Sequence, residues 1–321
     1  MSRTSSVIDL SAVSVAKAEG ARFSGRDLAL YAGTVFCWST SWIALKAQVG
    51  VVAPEVSILW RFMLAAILMW AWVLWRGERL RFGAADHLRF GAAGLCLFSL
   101  NFTLFYYGAL TIPSGLLAVV FSLASIFNMG LGAVFLRQRI EPRVALGGLV
   151  GFTGIGLLFW PEIAKAGFGT GALTGLALCV AGTLSFCLGN MVSTVIQRRN
   201  IPLVSANTWA MSYGVVFLAV VSVARGHAFI IEPTAKYLVG LLWLAIPCSV
   251  AAFACYLTLL RRIGAARAGY ATVLFPIVAL AISTVFEGYV WTGLAGLGAA
   301  LALLGNVIVL TRPAAKQTLA T

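Results

Sequence analysis

Long uncharged runs alternate along the chain with short stretches where charges cluster, and that alternation predicts its elements. Leu28 to Leu45 is uncharged over 18 residues, and Val56 to Trp75 carries one charge, Arg61. Between Arg89 and Arg137 lie 47 uncharged residues, too many for one bilayer-crossing helix of about 20 residues. The turn sequence Thr111-Ile112-Pro113-Ser114-Gly115 divides that run into a third and a fourth span. Span five is Val144 to Trp160, span six falls within Ala166 to Gln197, and span seven within Asn200 to Ala224. Tyr237 to Leu260, Ala268 to Phe286 and Tyr289 to Thr311 supply the last three. The pattern predicts an all-α integral membrane protein with ten transmembrane helices.

Composition supports the class and charge sets the orientation. Hydrophobic residues make up 61% of the chain and charged residues 10%, against about 25% charged in a soluble domain. The net charge of +13 does not form a nucleic-acid-binding face, because the basic residues lie between apolar runs. With the N-terminus in the cytoplasm, 18 of the 23 Lys and Arg fall on the cytoplasmic side. Only Lys46, Lys165, Arg225 and Lys236 fall outside, as the positive-inside rule requires. Both termini are therefore expected in the cytoplasm, residues 1–26 as an N-terminal tail without a cleavable signal and 312–321 as a C-terminal tail.

The two halves align at a spacing near 150 residues. Ala32-Gly33-Thr34 recurs as Ala181-Gly182-Thr183, Tyr106 as Tyr256, and Phe135 as Phe286. The expected organisation is a first five-helix repeat at 27–160, an external linker at 161–170 and a second repeat at 171–311. Because five is odd, the second repeat enters the membrane inverted, an arrangement suited to alternating access around a midplane site.

Candidate chemistry is sparse. The six cysteines all sit in apolar segments without Cys-x-x-Cys or Cys/His clustering, so they read as packing residues and no metal or other cofactor is expected. There is no P-loop and no His-Glu-x-x-His, and His87 and His227 both read as loop residues. The acids lie in tails, loops or helix ends. Glu287, at the outer end of span nine, is either a cap partner or a coupling residue. Arg61 is the one charge within a span; it can meet a substrate carboxylate, although snorkelling to the interface costs less. The remaining polar and aromatic residues suit a cavity for an uncharged or zwitterionic solute: Trp38, Ser39, Trp42, Asn101, Tyr106, Ser122, Ser125, Ser185, Asn190, Tyr256 and Tyr270. Helix–helix hydrogen bonding is the competing role for each of them. Pro276 is expected to kink span nine. Gly147-x3-Gly151 and the glycines from Gly293 to Gly305 allow close packing of spans five and ten or a homodimer through them.

Taken in order, several short words resemble the EamA-type drug/metabolite transporters. They are Cys37-Trp38-Ser39-Thr40, Arg61-Phe62, Tyr106-Tyr107-Gly108-Ala109-Leu110, Gly264-Ala265-Ala266-Arg267-Ala268, Phe275-Pro276 and Phe286-Glu287-Gly288. Within that superfamily the chain is most similar to amino-acid and metabolite exporters of the YddG type. The resemblance implies ten helices in two inverted repeats and a cavity lined by spans one, three, four, six, eight and nine, which favours the residues above over Trp209 and Tyr213. Where span four of the family often ends in Gly-Glu, this chain reads Arg137-Gln138-Arg139, so only Glu287 keeps an acidic end. The function expected is secondary transport of amino acids and related metabolites, as an exporter in the bacterial cytoplasmic membrane. The alternatives are a membrane-embedded enzyme or lipid-handling protein, and a passive pore. An enzyme would need a clustered nucleophile or acid–base pair, which the sequence does not offer.

Overall fold

The computed structural model describes residues 24–136, 142–165, 170–256, 258–259, 262 and 271–310. Over these residues the chain folds into helices α1 (Gly25–Ala47), α2 (Pro54–Arg76), α3 (Ala84–Gly108), α4 (Ser114–Phe135) and α5 (Pro142–Lys165). They are followed by α6 (Thr170–Gln197), α7 (Leu203–Ala224), α8 (Ala235–Tyr256), α9 (Ala271–Phe286) and α10 (Gly293–Leu310). Seven of them are long and apolar enough to cross a membrane, and three contain shorter apolar stretches, Ala145–Pro161, Ala271–Phe286 and Gly293–Ile308. The sequence words Gly264 to Ala268, the Arg137–Arg139 segment and Tyr270 lie outside the described residues, as do both tails apart from Ser24, Gly25 and Arg26.

The helix ends follow local chemistry. Ser24 caps α1 in a capping box, accepting from Asp27 N–H while the Asp27 carboxylate accepts from Ser24 N–H at 3.1 Å. Asp27 also pairs with Arg262, which fastens the start of α1 to the segment after α8. Pro54 opens α2, and Gly77 closes it in the left-handed conformation at φ 61°. Inside the helices, hydroxyls bond the carbonyl one turn back, as Thr34 does to Leu30 and Thr183 to Cys179, both at 2.8 Å.

Two helices change pitch at matching places. A π-helical turn covers Cys96–Leu100 of α3, and another covers Leu244–Ala251 of α8 around Pro247. Each sits in the third helix of its half, near the 150-residue spacing that the sequence shows. The wider turn leaves room for Ser249 Oγ to donate to the Leu244 carbonyl at 2.8 Å.

Helix α5 packs along α10 inside one chain. A Cβ added to Gly154 would run into the backbone of Ala302, and one on Gly298 into Leu158. The glycines of these two helices thus face each other within one chain. Introducing Leu at Gly154 is expected to lower the melting temperature of the purified protein, at a cost of about 1–3 kcal/mol for overpacking. Gly156→Leu is the control, because a Cβ there meets nothing within 4 Å; an equal loss in both variants would show that the crossing is not the cause.

Candidate functional site

Aromatic rings from six helices meet in the middle of the bundle. Trp42 of α1 packs on Phe105 of α3 at 5.1 Å, on Phe121 of α4 at 5.5 Å and parallel to Phe275 of α9 at 6.5 Å. Phe121 reaches Phe186 of α6 at 4.8 Å, and Trp38 of α1 lies 5.0 Å from Tyr256 of α8. Trp42, Phe105 and Phe275 are buried, whereas Trp38, Phe121, Phe186 and Tyr256 are half-buried. These half-open rings leave part of the aromatic surface uncovered. The contributing helices are α1, α3, α4, α6, α8 and α9.

The polar candidates divide into those that tie helices together and those that remain unmet. The Ser39 hydroxyl is shared between the carbonyls of Val35 at 2.7 Å and Phe275 at 3.0 Å. It thereby fastens α1 to α9 one residue before Pro276, which lies inside α9 as expected. Ser122 accepts from Asn306 Nδ2 at 2.9 Å, and Ser125 pairs with the Oδ1 of the same Asn306, so both serve the α4–α10 contact. Ser185 donates to the Cys96 carbonyl at 3.1 Å, and Asn190 to Asn128 Oδ1 at 3.3 Å. Asn101 is buried and its Oδ1 has no partner. Tyr106 is fully buried in the same core; its hydroxyl donates to Gln48 Oε1 at 2.8 Å. Tyr106 and Tyr256 therefore have different partners, Gln48 and Trp38, although the sequence places them at equivalent positions.

Arg61 differs from the sequence expectation. It does not snorkel: only 5% of the residue is exposed, and its guanidinium lies over the rings of Phe102 at 4.5 Å and Phe62 at 5.0 Å. The extended chain that would reach the interface is held inward instead by α3 and the π turn of α8. His87 also departs, lying inside α3 rather than in a loop. Its Nδ1 is 3.0 Å from the Tyr213 hydroxyl, and its ring packs on Trp209 at 4.6 Å. Trp209 and Tyr213 thus belong to a separate group near the start of α3. A recess of about 510 Å³ opens there between α3 and α7, apart from the central rings.

The opposite end of the bundle, where α1 ends and α2 begins, is closed by a polar layer. Lys46 Nζ donates to the carbonyls of Ala109 and, at 3.0 Å, Ile112. Glu287 accepts from Ser114 N–H at 2.9 Å, from the Ser114 hydroxyl and from Ser283 Oγ at 2.6 Å. A carboxylate beyond the end of α9 thus caps the first turn of α4, where the helix dipole and free N–H groups favour an anion. Glu55, buried at the start of α2, accepts from the Tyr107 hydroxyl at 3.0 Å and pairs with Arg225, while His227 Nε2 stands 3.6 Å away. The carboxylate holds the Arg225 guanidinium above its ordinary range. Sequence reading passed over Glu55, because a carboxylate at a helix start gives no sign that it is buried.

An all-helical bundle of apolar spans around an aromatic centre is the architecture of a multi-pass membrane protein. The chain matches the EamA-like transporter family over residues 27–160 and again over 173–311, and it belongs to that family. It is 26% identical over 219 residues to a protein of Streptantibioticus cattleyicolor named "Probable terminal-alkyne amino-acid exporter", covering 68% of this chain and 70% of that one. It is 27% identical over 203 residues to the "Probable amino-acid metabolite efflux pump" of Salmonella typhimurium, covering 61% and 67%. An uncharacterized transporter of Archaeoglobus fulgidus is 30% identical over 152 residues, and the match spans about half of it, 51%. A solved crystal structure at 17% identity superposes with a TM-score of 0.62 over 88% of this chain and 95% of that one, which shows the same fold. The family and the relatives are named as transporters, not as enzymes.

Two outcomes follow from this geometry. Glu287→Gln keeps part of any transport activity and destabilises the protein by about 1–2 kcal/mol, the effect of weakening charged cap bonds; complete loss of flux with normal folding would give the residue a coupling role. Asn306→Leu lowers the yield of folded protein without changing preference among solutes, which expression and competition assays separate.

Proposed function

We propose that this chain is a secondary transporter working by alternating access. Its ten spans form two inverted five-helix repeats, residues 27–160 and 171–311, joined by an external linker, with both termini cytoplasmic. It moves small uncharged or zwitterionic organic solutes, amino acids and related metabolites, out of the cell across the bacterial cytoplasmic membrane. The observation that carries the reading is the central aromatic cluster, built by helices from both halves and lying below a closed polar layer. Half-buried rings with few fixed charges suit a solute carrying an apolar side chain. The closed layer corresponds to the external end, because Lys46 and Arg225 are among the few basic residues assigned outside. The relatives named as amino-acid exporters support the substrate class.

Counterflow in proteoliposomes tests the reading. Preloading with one amino acid is expected to drive saturable uptake of labelled amino acid, and Trp38→Ala or Phe121→Ala to shift preference between large and small side chains. Absence of protein-dependent flux for every metabolite tried would sink it, and flux without saturation would indicate a pore. Topology has its own check in a variant lacking native cysteines. An impermeant thiol reagent applied outside is expected to label Val51→Cys and spare Gly83→Cys; the reverse pattern would invert the assignment.

A further inference from the structure

Among the described residues, the buried guanidinium of Arg61 and the buried amide of Gln48 bring several donors to a part of the core with few acceptors. Arg61 lies seven residues into α2, about 10 Å along the helix from its start. Among the described residues no acidic side chain pairs with it. Asp27 is engaged by Arg262, Asp86 by Arg89 and Arg199, Glu55 by Arg225 and Tyr107, and Glu287 by Ser114 and Ser283. What Arg61 has instead are neutral oxygens: Nε and Nη2 both donate to Ser249 Oγ, each at 3.2 Å, and the Tyr106 hydroxyl stands beside the guanidinium. The Ser249 hydroxyl spends its own proton on the Leu244 carbonyl, so it offers only lone pairs to the guanidinium. The Nε–Nη2 edge is the side of a guanidinium that matches the two oxygens of a carboxylate, and here a single oxygen fills it.

A second donor without an acceptor lies nearby. Gln48, the C-cap of α1, is 1% exposed; its Oε1 takes the Tyr106 hydroxyl, and its buried Nε2 has no partner. Tyr106 in turn faces Arg61 and links the two groups. A charged donor and an amide donor are thus buried on either side of the Tyr106 hydroxyl, and the amide N–H has no acceptor among the described residues. The aromatic wall is continuous with them: Phe102, over which Arg61 lies, is one turn of α3 from Phe105, which packs on Trp42.

We propose that Arg61 and Gln48 Nε2 form a binding site for the carboxylate of the transported solute, orienting its side chain toward the central rings. The site rests on the carrier reading and narrows it to carboxylate-bearing solutes. Ser249 Oγ holds the place of one carboxylate oxygen, and the solute displaces it when the polar layer at Lys46 and Glu287 opens. Arg61 then carries the preference for an acid over its amide, and the rings carry the preference among side chains.

The test compares phenylalanine, phenylalaninamide and phenethylamine as competitors in counterflow, and as ligands in thermal-shift measurements on the full purified chain. Wild type is expected to favour phenylalanine over the amide. Arg61→Gln should reduce that preference by about tenfold or more, with Arg61→Lys recovering part of it, as removal of a buried charged hydrogen bond predicts. Because Arg61→Gln can fold poorly, Gln48→Glu is the second variant. It places a carboxylate in the site and should raise the melting temperature while abolishing stabilisation by phenylalanine. Equal treatment of acid and amide by wild type, or an unchanged preference in folded Arg61→Gln, would overturn the site. Flux absent for all solutes, with phenylalanine still stabilising wild type but not Arg61→Gln, would overturn the carrier reading and leave the site standing.

Discussion

In a hydrocarbon environment every polar group must find its partner inside the protein, and the structure follows from that constraint. Many Ser, Thr and Asn side chains that would gain little from pairing in water find a carbonyl, an amide or a hydroxyl here. Asn306 alone serves Ser122, Ser125 and the Ala302 carbonyl. Where helices cross, glycine brings backbones so close that no side chain fits, as between α5 and α10. Where a helix ends at the closed layer, a side chain from a distant segment supplies the missing partner, as Glu287 does for α4. Against this background, Gln48 Nε2, Asn101 Oδ1 and the hydroxyls of Ser205 and Ser222 are buried without a hydrogen-bond partner among the described residues, and the fork of Arg61 is half-met.

The same constraint separates the two kinds of aromatic residue. Rings on the outside of the bundle, such as Trp75, are exposed, while Trp42, Phe105 and Phe275 are buried against each other from three different helices. Their contacts add modestly to burial, about 0.5–1.5 kcal/mol for each well-placed pair. Their larger consequence is geometric: they form a wall that belongs to no single half of the chain. Pro276 and the two π turns let α9, α3 and α8 bend or widen beside that wall.

Much of this was legible in the sequence because charge and turn chemistry are local. The gap between Arg89 and Arg137, with Pro113 and Gly115 in it, announced two helices joined by a turn, and α3 and α4 lie there. Trp38, Trp42 and Pro276 draw notice in the sequence because an aromatic or proline at mid-span has few bland explanations, and the first two lie among the central rings. Phe105, Phe121 and Phe186 escaped because a phenylalanine in an apolar run looks the same whether it faces lipid, core or cavity. Partners distant in sequence were equally hidden. Nothing local shows that Ser122 meets Asn306, that Glu55 is buried against Arg225, or that Tyr106 turns toward Gln48 while Tyr256 turns toward Trp38. Arg61 was misplaced for a related reason: snorkelling is the cheaper course for an isolated helix, and only the packed bundle supplies Ser249 and Phe102 to hold it inward.

The claim that the two ends of the bundle open in turn around the aromatic centre has a direct physical measurement. Spin labels at Val51 and Val290, both exposed near the closed layer, report its opening. Labels at Glu78 and Arg198 report the other end. In liposomes, a saturating transported amino acid is expected to add a longer distance to the first pair while the second pair shortens. Distances that stay fixed at both ends during sustained flux would contradict alternating access and point to a static pore.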